Sequence, residues 1–440
     1  MNDSTLREVI EDLNSAAVGR EMLALASELF PICRSITGQG VRKTLALLQE
    51  VIPVEVHEVA SGTEVFDWTV PNEWNIRGAY IRDPSGRKIV DFSSSNLHVV
   101  SYSSPVQGVF SLEELRPHLH SIPEHPDWIP YRTSYYQETW GFCLSHRQLS
   151  ELKEGDYEVS IDASLEAGYL TYGELVLPGE TPAEVLLSCH ICHPSLCNDN
   201  LSGLVVSAFL ARALGKISRK FTYRFIFIPG TIGSITWLAK NEETVHRIHA
   251  GLVLANLGDA GDFTYKRSRQ NNSSIDTAVV QALVDSGLEY EIEDFVPFGY
   301  DERQYCSPGF NLPVGSLTRT PYGRYPQYHT SADDLDFIRS DALGGSLSLY
   351  LDVLAILEQD RTYLNLNPKC EPQLGRRGLY GSLGGRSDGR ERELATLWVL
   401  NYSDGHHSLL RIAERSGLKF SAIAAAAQRL LGADLLEEVS

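Results

Sequence analysis

The sequence predicts an α/β fold: a sheet flanked by helices, interrupted by a β-rich unit and followed by a C-terminal helix-turn-helix module. Three observations carry that prediction. Short, near-continuous apolar runs (Val185-Leu-Leu, Phe225-Ile-Phe-Ile, Leu252-Val-Leu) alternate with helical stretches at 204–214 and 235–241, the habit of strands covered on both faces. Between about 54 and 177 the texture changes to alternation and turn chemistry, as in Tyr157-Glu-Val-Ser-Ile-Asp-Ala-Ser-Leu. The last seventy residues hold nine basic and nine acidic side chains, so the net charge of −19 lies wholly in the rest, which marks a separate module.

Taken in order, residues 5–50 place Leu6, Ile10, Met22, Leu23, Ala26, Leu29, Phe30, Val41, Leu45 and Leu48 at helical spacing, which predicts two or three helices. The β-rich unit follows. After Pro182 the α/β texture runs to about Thr362. A Gly-rich linker, 375–389, leads to expected helices at 390–401, 407–416 and 421–431 with a turn at Gly417. The expected limits are 1–55 with 178–365 for the α/β domain, 56–177 for the β-rich insertion and 371–440 for the terminal module.

The 440 residues, 48.9 kDa, allow two to three domains. With 38 Lys+Arg against 57 Asp+Glu, the surface field repels phosphate backbones, so nucleic acid is not expected as the main partner. Hydrophobic residues at 43% and charged ones at 22% suit a globular chain. No run approaches the ~18–20 consecutive apolar residues of a membrane helix. The N-terminus, MNDSTLREVIEDLN, is acidic where a secretory signal is basic, so the expectation is no membrane association and a cytoplasmic address. Seven cysteines, three of them between Cys189 and Cys197, suit neither a disulfide framework nor a thiolate zinc site with a second Cys pair.

The densest polar cluster is Ser188-Cys-His190-Ile-Cys-His193-Pro-Ser-Leu-Cys-Asn-Asp199-Asn-Leu-Ser-Gly203, between an expected strand and an expected helix. Ligands in α/β folds bind beyond the C-terminal ends of strands, and two imidazoles with a carboxylate suit a borderline metal such as zinc. Plain N-capping by Asp199 is the alternative. A second loop, Tyr325-Pro-Gln-Tyr-His329-Thr-Ser-Ala-Asp-Asp334, offers a histidine with carboxylates placed to orient it. Asp259, after the run Leu252-Val-Leu, stands where a further ligand would stand, and Asp301-Glu302-Arg303 lie among aromatic residues that would shift a carboxylate.

These segments, with Val70-Pro-Asn-Glu-Trp-Asn-Ile, Trp140-Gly-Phe-Cys, Thr231-Ile-Gly-Ser and Arg377-Gly-Leu-Tyr, resemble a bacterial aminopeptidase-like family related to the family-28 zinc metallopeptidases. The resemblance spans nearly the whole chain. It implies a zinc-aminopeptidase-like mixed sheet, an inserted β domain, a C-terminal winged helix and one or two zinc ions. Carried over residue by residue, Asp199 matches the bridging aspartate and His329 the late histidine; either His190 or His193 matches the early one, and Asp259 the mid-domain acid. The implied reaction is hydrolysis of a small peptide or aminoacyl amide.

Two departures stand against the pattern: Gly230 and Gln327 occupy positions where the relatives place acidic residues. Glu302 is then the remaining candidate general base, and Asp301 a candidate anchor for a substrate ammonium. Arg303, Arg319 and Arg324 are candidates to hold a carboxylate or phosphate, with Tyr328 as a further substrate contact. The rival expectations are a metal-binding scaffold with altered or lost catalysis, and a ligand-sensing DNA-binding regulator. The segment 421–431 reads Ser-Ala-Ile-Ala-Ala-Ala-Ala-Gln-Arg-Leu-Leu, which offers little to base edges, so contact with protein, including a homo-oligomer through the winged helix or the β domain, is expected of that module.

Overall fold

The computed structural model describes residues 6–11, 14–379 and 387–439, so residues 380–386 of the Gly-rich linker lie outside the described residues. An eight-stranded sheet runs in the order Glu55–Ala60, Tyr169–Leu177, Thr222–Ile228, Glu184–His190, Ile248–Leu254, Val314–Thr318, Phe263–Lys266, Tyr290–Glu293. Its four inner strands are mutually parallel, with Glu184–His190 between Thr222–Ile228 and Ile248–Leu254. The pairs that flank them are antiparallel. The sheet is therefore mixed, as the resemblance implies.

All seven residues of Glu184–His190 are buried, which is why the strand reads as an unbroken apolar run ending in polar residues. One face is covered by Ser15–Leu29, Gly203–Leu214, Ser274–Ser286 and Ser340–Gln359, which pack on one another. The last of these is, by length and composition, apolar enough to cross a membrane, but 72% of that window is buried inside the molecule. It is the core helix of this face, assembled from apolar residues too interspersed with Ser, Gly and Asp to read as one run.

The insertion is a four-stranded antiparallel sheet in the order Lys88–Asp91, Glu73–Arg82, Asp156–Glu166, Val106–Ser111. The chain leaves and re-enters the large sheet through Glu55–Ala60 and Tyr169–Leu177, which pair with each other. The segment 56–177 thus supplies two strands to the large sheet as well as its own.

The C-terminal module has helices Ser387–Tyr402, Leu409–Ser416 and Phe420–Leu431 and a sheet of Asp404–Ser408, Thr362–Asn365 and Leu436–Glu438. The helix expected from His407 begins two residues later, because Asp404–Ser408 pairs with Thr362–Asn365 instead. The module docks on Ser274–Ser286. Asp285 Oδ2 accepts the Phe420 backbone N–H at 2.9 Å, and Arg411 Nη2 donates to the Asn272 carbonyl at 2.8 Å. The leading end of the helix that would enter a DNA groove is therefore turned onto the α/β domain.

A cavity of about 280 Å³ at this junction is lined by Asp285, Asp352, Lys419 and Phe420, among others. Burial, reinforced by the Asp285 charge, pushes the Asp352 carboxyl up to about 6. The folded chain thus holds this proton more tightly than the unfolded one. The stability it contributes is complete below about pH 4 and is lost as the pH rises through about 6. Asp352→Asn is expected to raise the thermal midpoint at pH 8 and leave it unchanged at pH 4. The gain is on the order of 1 kcal/mol after screening by solvent; equal shifts at both pH values would exclude this account.

Candidate metal centre

His190 ends its strand at the C-terminal edge of the sheet, in register with Ile228. The chain then bends through a loop and a tight turn, Cys197–Ser202, before entering Gly203–Leu214. Asp199 sits inside that turn, 3% exposed. Its Oδ1 lies 2.8 Å from His190 Nε2 and its Oδ2 lies 3.0 Å from His329 Nε2. The ring of His193 lies 4.9 Å from that of His190 and 5.1 Å from that of His329. One ligand atom each from His190, His193 and Asp199 fall within 4.8 Å of one another, and His193 Nδ1 is buried without a hydrogen-bond partner.

Burial alone would raise the Asp199 carboxyl, but the imidazoles of His193 and His190 and the bonds from His190 and His329 hold it well below the usual range. Burial drives His193 well below its ordinary value, against the pull of Asp199. The pair is thus an ionised carboxylate beside a neutral imidazole, the protonation states in which both coordinate a cation. A buried imidazole with an unpartnered nitrogen, grouped with a second imidazole and an ionised carboxylate, fits a metal ion. Burial pushes the nearby thiols up, Cys192 to about 12 and Cys189 further, so they stay protonated and are poor ligands.

The turn is fixed from three sides. Asp333 accepts the backbone N–H groups of Asn198 at 2.6 Å and Asp199 at 3.0 Å. Asn198 Nδ2 donates to Asp259 Oδ2 and its Oδ1 accepts from Gly258 N, both at 2.9 Å. Asn200 Nδ2 donates to the Leu254 carbonyl at 2.9 Å, and its Oδ1 caps Gly203 N. Capping is thus the task of Asn200, and Asp199 is left for the histidines. The carboxylate expected to orient His329, Asp333, orients the Asp199 turn instead.

His329 has φ +56 and is held by the insertion. Its carbonyl accepts the Tyr131 N–H at 2.7 Å, Pro130 bridges to Thr330, and Ser331 N donates to Ile129 O at 2.8 Å. Tyr131 sets its edge against both His193 and His329. Arg34, 1% exposed, donates from Nε to the His193 carbonyl at 2.9 Å and from Nη1 to Leu29 O at 2.7 Å. Neither Tyr131, Arg34 nor Tyr300 stands out in the sequence, because the contacts that bring them to the histidines run about 60 or more residues along the chain.

Several expected roles are corrected by these contacts. Asp259 stands outside the group of His190, His193 and Asp199: its oxygens accept from Asn198, Gly261 N and Thr320 Oγ1. Glu302 is unsuited as a base, being buried, ion-paired to Lys266 and bonded to Tyr300 N. Asp301 does not border the cavity beside the histidines; it is fully buried, takes a 2.7 Å bond from Ser234 Oγ, and burial pushes it up to about 6. Arg319 is tied to Ser346, Gly261 O and Ala342 O beneath the sheet, and Arg324 pairs with Glu291 and Glu293 at the sheet edge. Tyr328 stacks on His329 at 3.9 Å and so supports that ring. Arg303 does reach the site. It lines a cavity of about 260 Å³ with His193, His329, Tyr131 and Tyr300. A larger cavity, about 590 Å³, lies on the insertion between Asp83 and Tyr157, with none of these residues on its walls.

The space beside Gly230, where the resemblance implies a glutamate, is filled. A Cβ on Gly230 would lie 2.1 Å from Cε1 and 2.8 Å from Cζ of Tyr300. The Tyr300 ring packs 3.8 Å from the His190 ring, centroid to centroid, with its hydroxyl 3.3 Å from Cys192 Sγ.

Residues 23–360 match the family described as Domain of unknown function (DUF4910), and 361–438 match a winged helix-turn-helix family. The chain belongs to the DUF4910 family. A Clostridium acetobutylicum member named "Putative polysaccharide biosynthesis protein with aminopeptidase-like domain" is 54% identical over 426 residues, 97% of this chain and 98% of that one. A crystal structure titled a "putative peptidase" from the same species superposes with a TM-score of 0.94 at 52% identity, covering 99% of this chain and 100% of that one. A zinc aminopeptidase from Bacillus subtilis matches at a TM-score of 0.58 and 13% identity, over 77% of this chain and 94% of that one. A peptidase M28 precursor from Shewanella amazonensis matches at 0.56 and 14%, over 80% and 96%. The chain thus has an aminopeptidase-like fold over its DUF4910 region, followed by a winged helix, as the resemblance implies.

The fit of Tyr300 against Gly230 can be measured. Gly230→Glu alone is expected to destabilise the protein by about 1–3 kcal/mol through overpacking. Adding Tyr300→Ala should recover a large part of that loss, read as a favourable coupling in a urea double-mutant cycle. Additive losses would refute the steric account.

Proposed function

We propose that this chain is a zinc-dependent amide-bond hydrolase of the aminopeptidase-like kind, acting on a small peptide or aminoacyl amide, with His190, His193, Asp199 and His329 as the ligand set. The observation that carries the reading is the grouping of His193, buried with its Nδ1 unpartnered, with a carboxylate already flanked by two imidazoles. A set of nitrogen and carboxylate donors suits zinc. One ion rather than two is favoured because the other acids near the turn, Asp259 and Asp333, are occupied by protein donors. The likeness to a named zinc aminopeptidase supports the same choice.

Zinc held there would polarise a carbonyl and activate water. The chain's own part is to exclude bulk solvent with Tyr131 and Tyr300, to orient the imidazoles through Asp199, and to move protons without a free carboxylate. With Glu302 tied to Lys266, the group left at the cavity to hold or pass a proton is the Tyr300 hydroxyl. Loss of a general base costs about 10²–10⁴-fold in rate, so slow turnover is expected. The Tyr300 plug over Gly230 also favours a second reading, a metal-binding scaffold whose catalysis is altered or lost.

Elemental analysis of freshly purified protein tests the reading. About one zinc per chain is expected, lost in His193→Ala, His329→Ala and Asp199→Asn, with slow release of amine from aminoacyl amides by the zinc-bound protein. Zinc without any turnover would select the scaffold, and protein that neither holds nor takes up zinc would end both readings.

A further inference from the structure

The cavity beside the histidines has a polarity of its own. Its walls are Tyr131, Tyr135, Thr133, Thr231, Tyr300 and Arg303, with His193, His329 and two glycines completing it, and no aspartate or glutamate lines it. Arg303 lies in the short helix Glu302–Tyr305, forms no ion pair among the described residues, and its Nε is buried without a hydrogen-bond partner. Of the neighbouring acids, Glu302 faces Lys266, and Asp301, which takes a bond from Ser234 on one oxygen and has the other buried without a hydrogen-bond partner, feels the Arg303 charge but does not line the cavity. A guanidinium on a cavity wall that carries no acid is a donor open to an anion. The overall charge of −19 works against anions at long range, so recognition of one here has to be local.

We propose that the cavity takes the anionic end of its ligand, a carboxylate or a phosphate, on Arg303. The occupant is a small acyl amino acid or peptide presented by its C-terminal carboxylate, not by its α-ammonium. The volume, about 260 Å³, is below that of pockets for drug-sized ligands and suits one or two residues. An α-ammonium would meet the Arg303 guanidinium with no acid on the walls to receive it. This inference rests on the proposed hydrolase site for the meaning of the cavity, but the anion anchor is separable from the metal.

The test is equilibrium binding to the full-length, zinc-supplemented protein of N-acetyl-L-alanine, N-acetyl-L-alaninamide, L-alaninamide and inorganic phosphate. N-acetyl-L-alanine is expected to bind at least about tenfold more tightly than either amide, the scale of one charge-assisted hydrogen bond. Competition by phosphate would assign a general oxyanion site, and its absence a carboxylate-selective one; either fits the proposal. Arg303→Gln should abolish the preference and Arg303→Lys should keep part of it, which separates loss of the anchor from loss of the fold. The same titrations on Asp199→Asn divide the two hypotheses: a preference that persists there while zinc is lost places the anion on Arg303. Tighter binding of L-alaninamide, or a preference that survives Arg303→Gln and disappears in Asp199→Asn, would overturn it.

Discussion

A carboxylate taken almost wholly out of water needs a counter-charge or a set of donors, and among the described residues Asp199 has no lysine or arginine bonded to it. It has His190 on one oxygen and His329 on the other. Much of the surrounding architecture meets that requirement. Asp333 and the two flanking asparagines hold the turn that aims the carboxylate, and the parallel strands Glu184–His190 and Ile248–Leu254 supply the edge to which the turn is fastened. Because the N–H groups of Asn198 and Asp199 both point to Asp333, the turn is bound to the late loop that also carries His329. Early and late parts of the α/β domain are thereby joined at one point.

The insertion belongs to this arrangement and is no ornament on it. Ile129, Pro130 and Tyr131 bind the His329 loop through backbone contacts, and Tyr131 packs against two of the three imidazoles. One wall of the cavity is therefore built by a loop of the insertion that lies outside the large sheet. The winged helix, by contrast, meets the α/β domain along Ser274–Ser286, and its apolar residues continue the same core cluster.

The sheet and helices were legible because burial on both faces leaves unbroken apolar runs at Val185, Phe225 and Leu252. The cluster of His190, His193 and Asp199 was legible because it spans ten residues between a strand and a helix. What sequence could not distinguish was the direction of side chains in contact across long separations. Arg319 and Arg324 read like Arg303, yet one spends its donors on carbonyls beneath the sheet and another on edge glutamates. Asp259 stands where a ligand would stand but is used by Asn198 and Thr320. The replacement at Gly230 was visible as a missing acid, while its cause, the ring of a tyrosine seventy residues later, was not.

That ring and that glycine also constrain how such a chain can drift. Enlarging position 230 first drives a new atom into an aromatic ring, and shrinking Tyr300 first empties the space against His190 and Cys192. Either order passes through an ill-packed intermediate, so the two positions constrain each other, and placing a carboxylate on this wall requires a compensated double step.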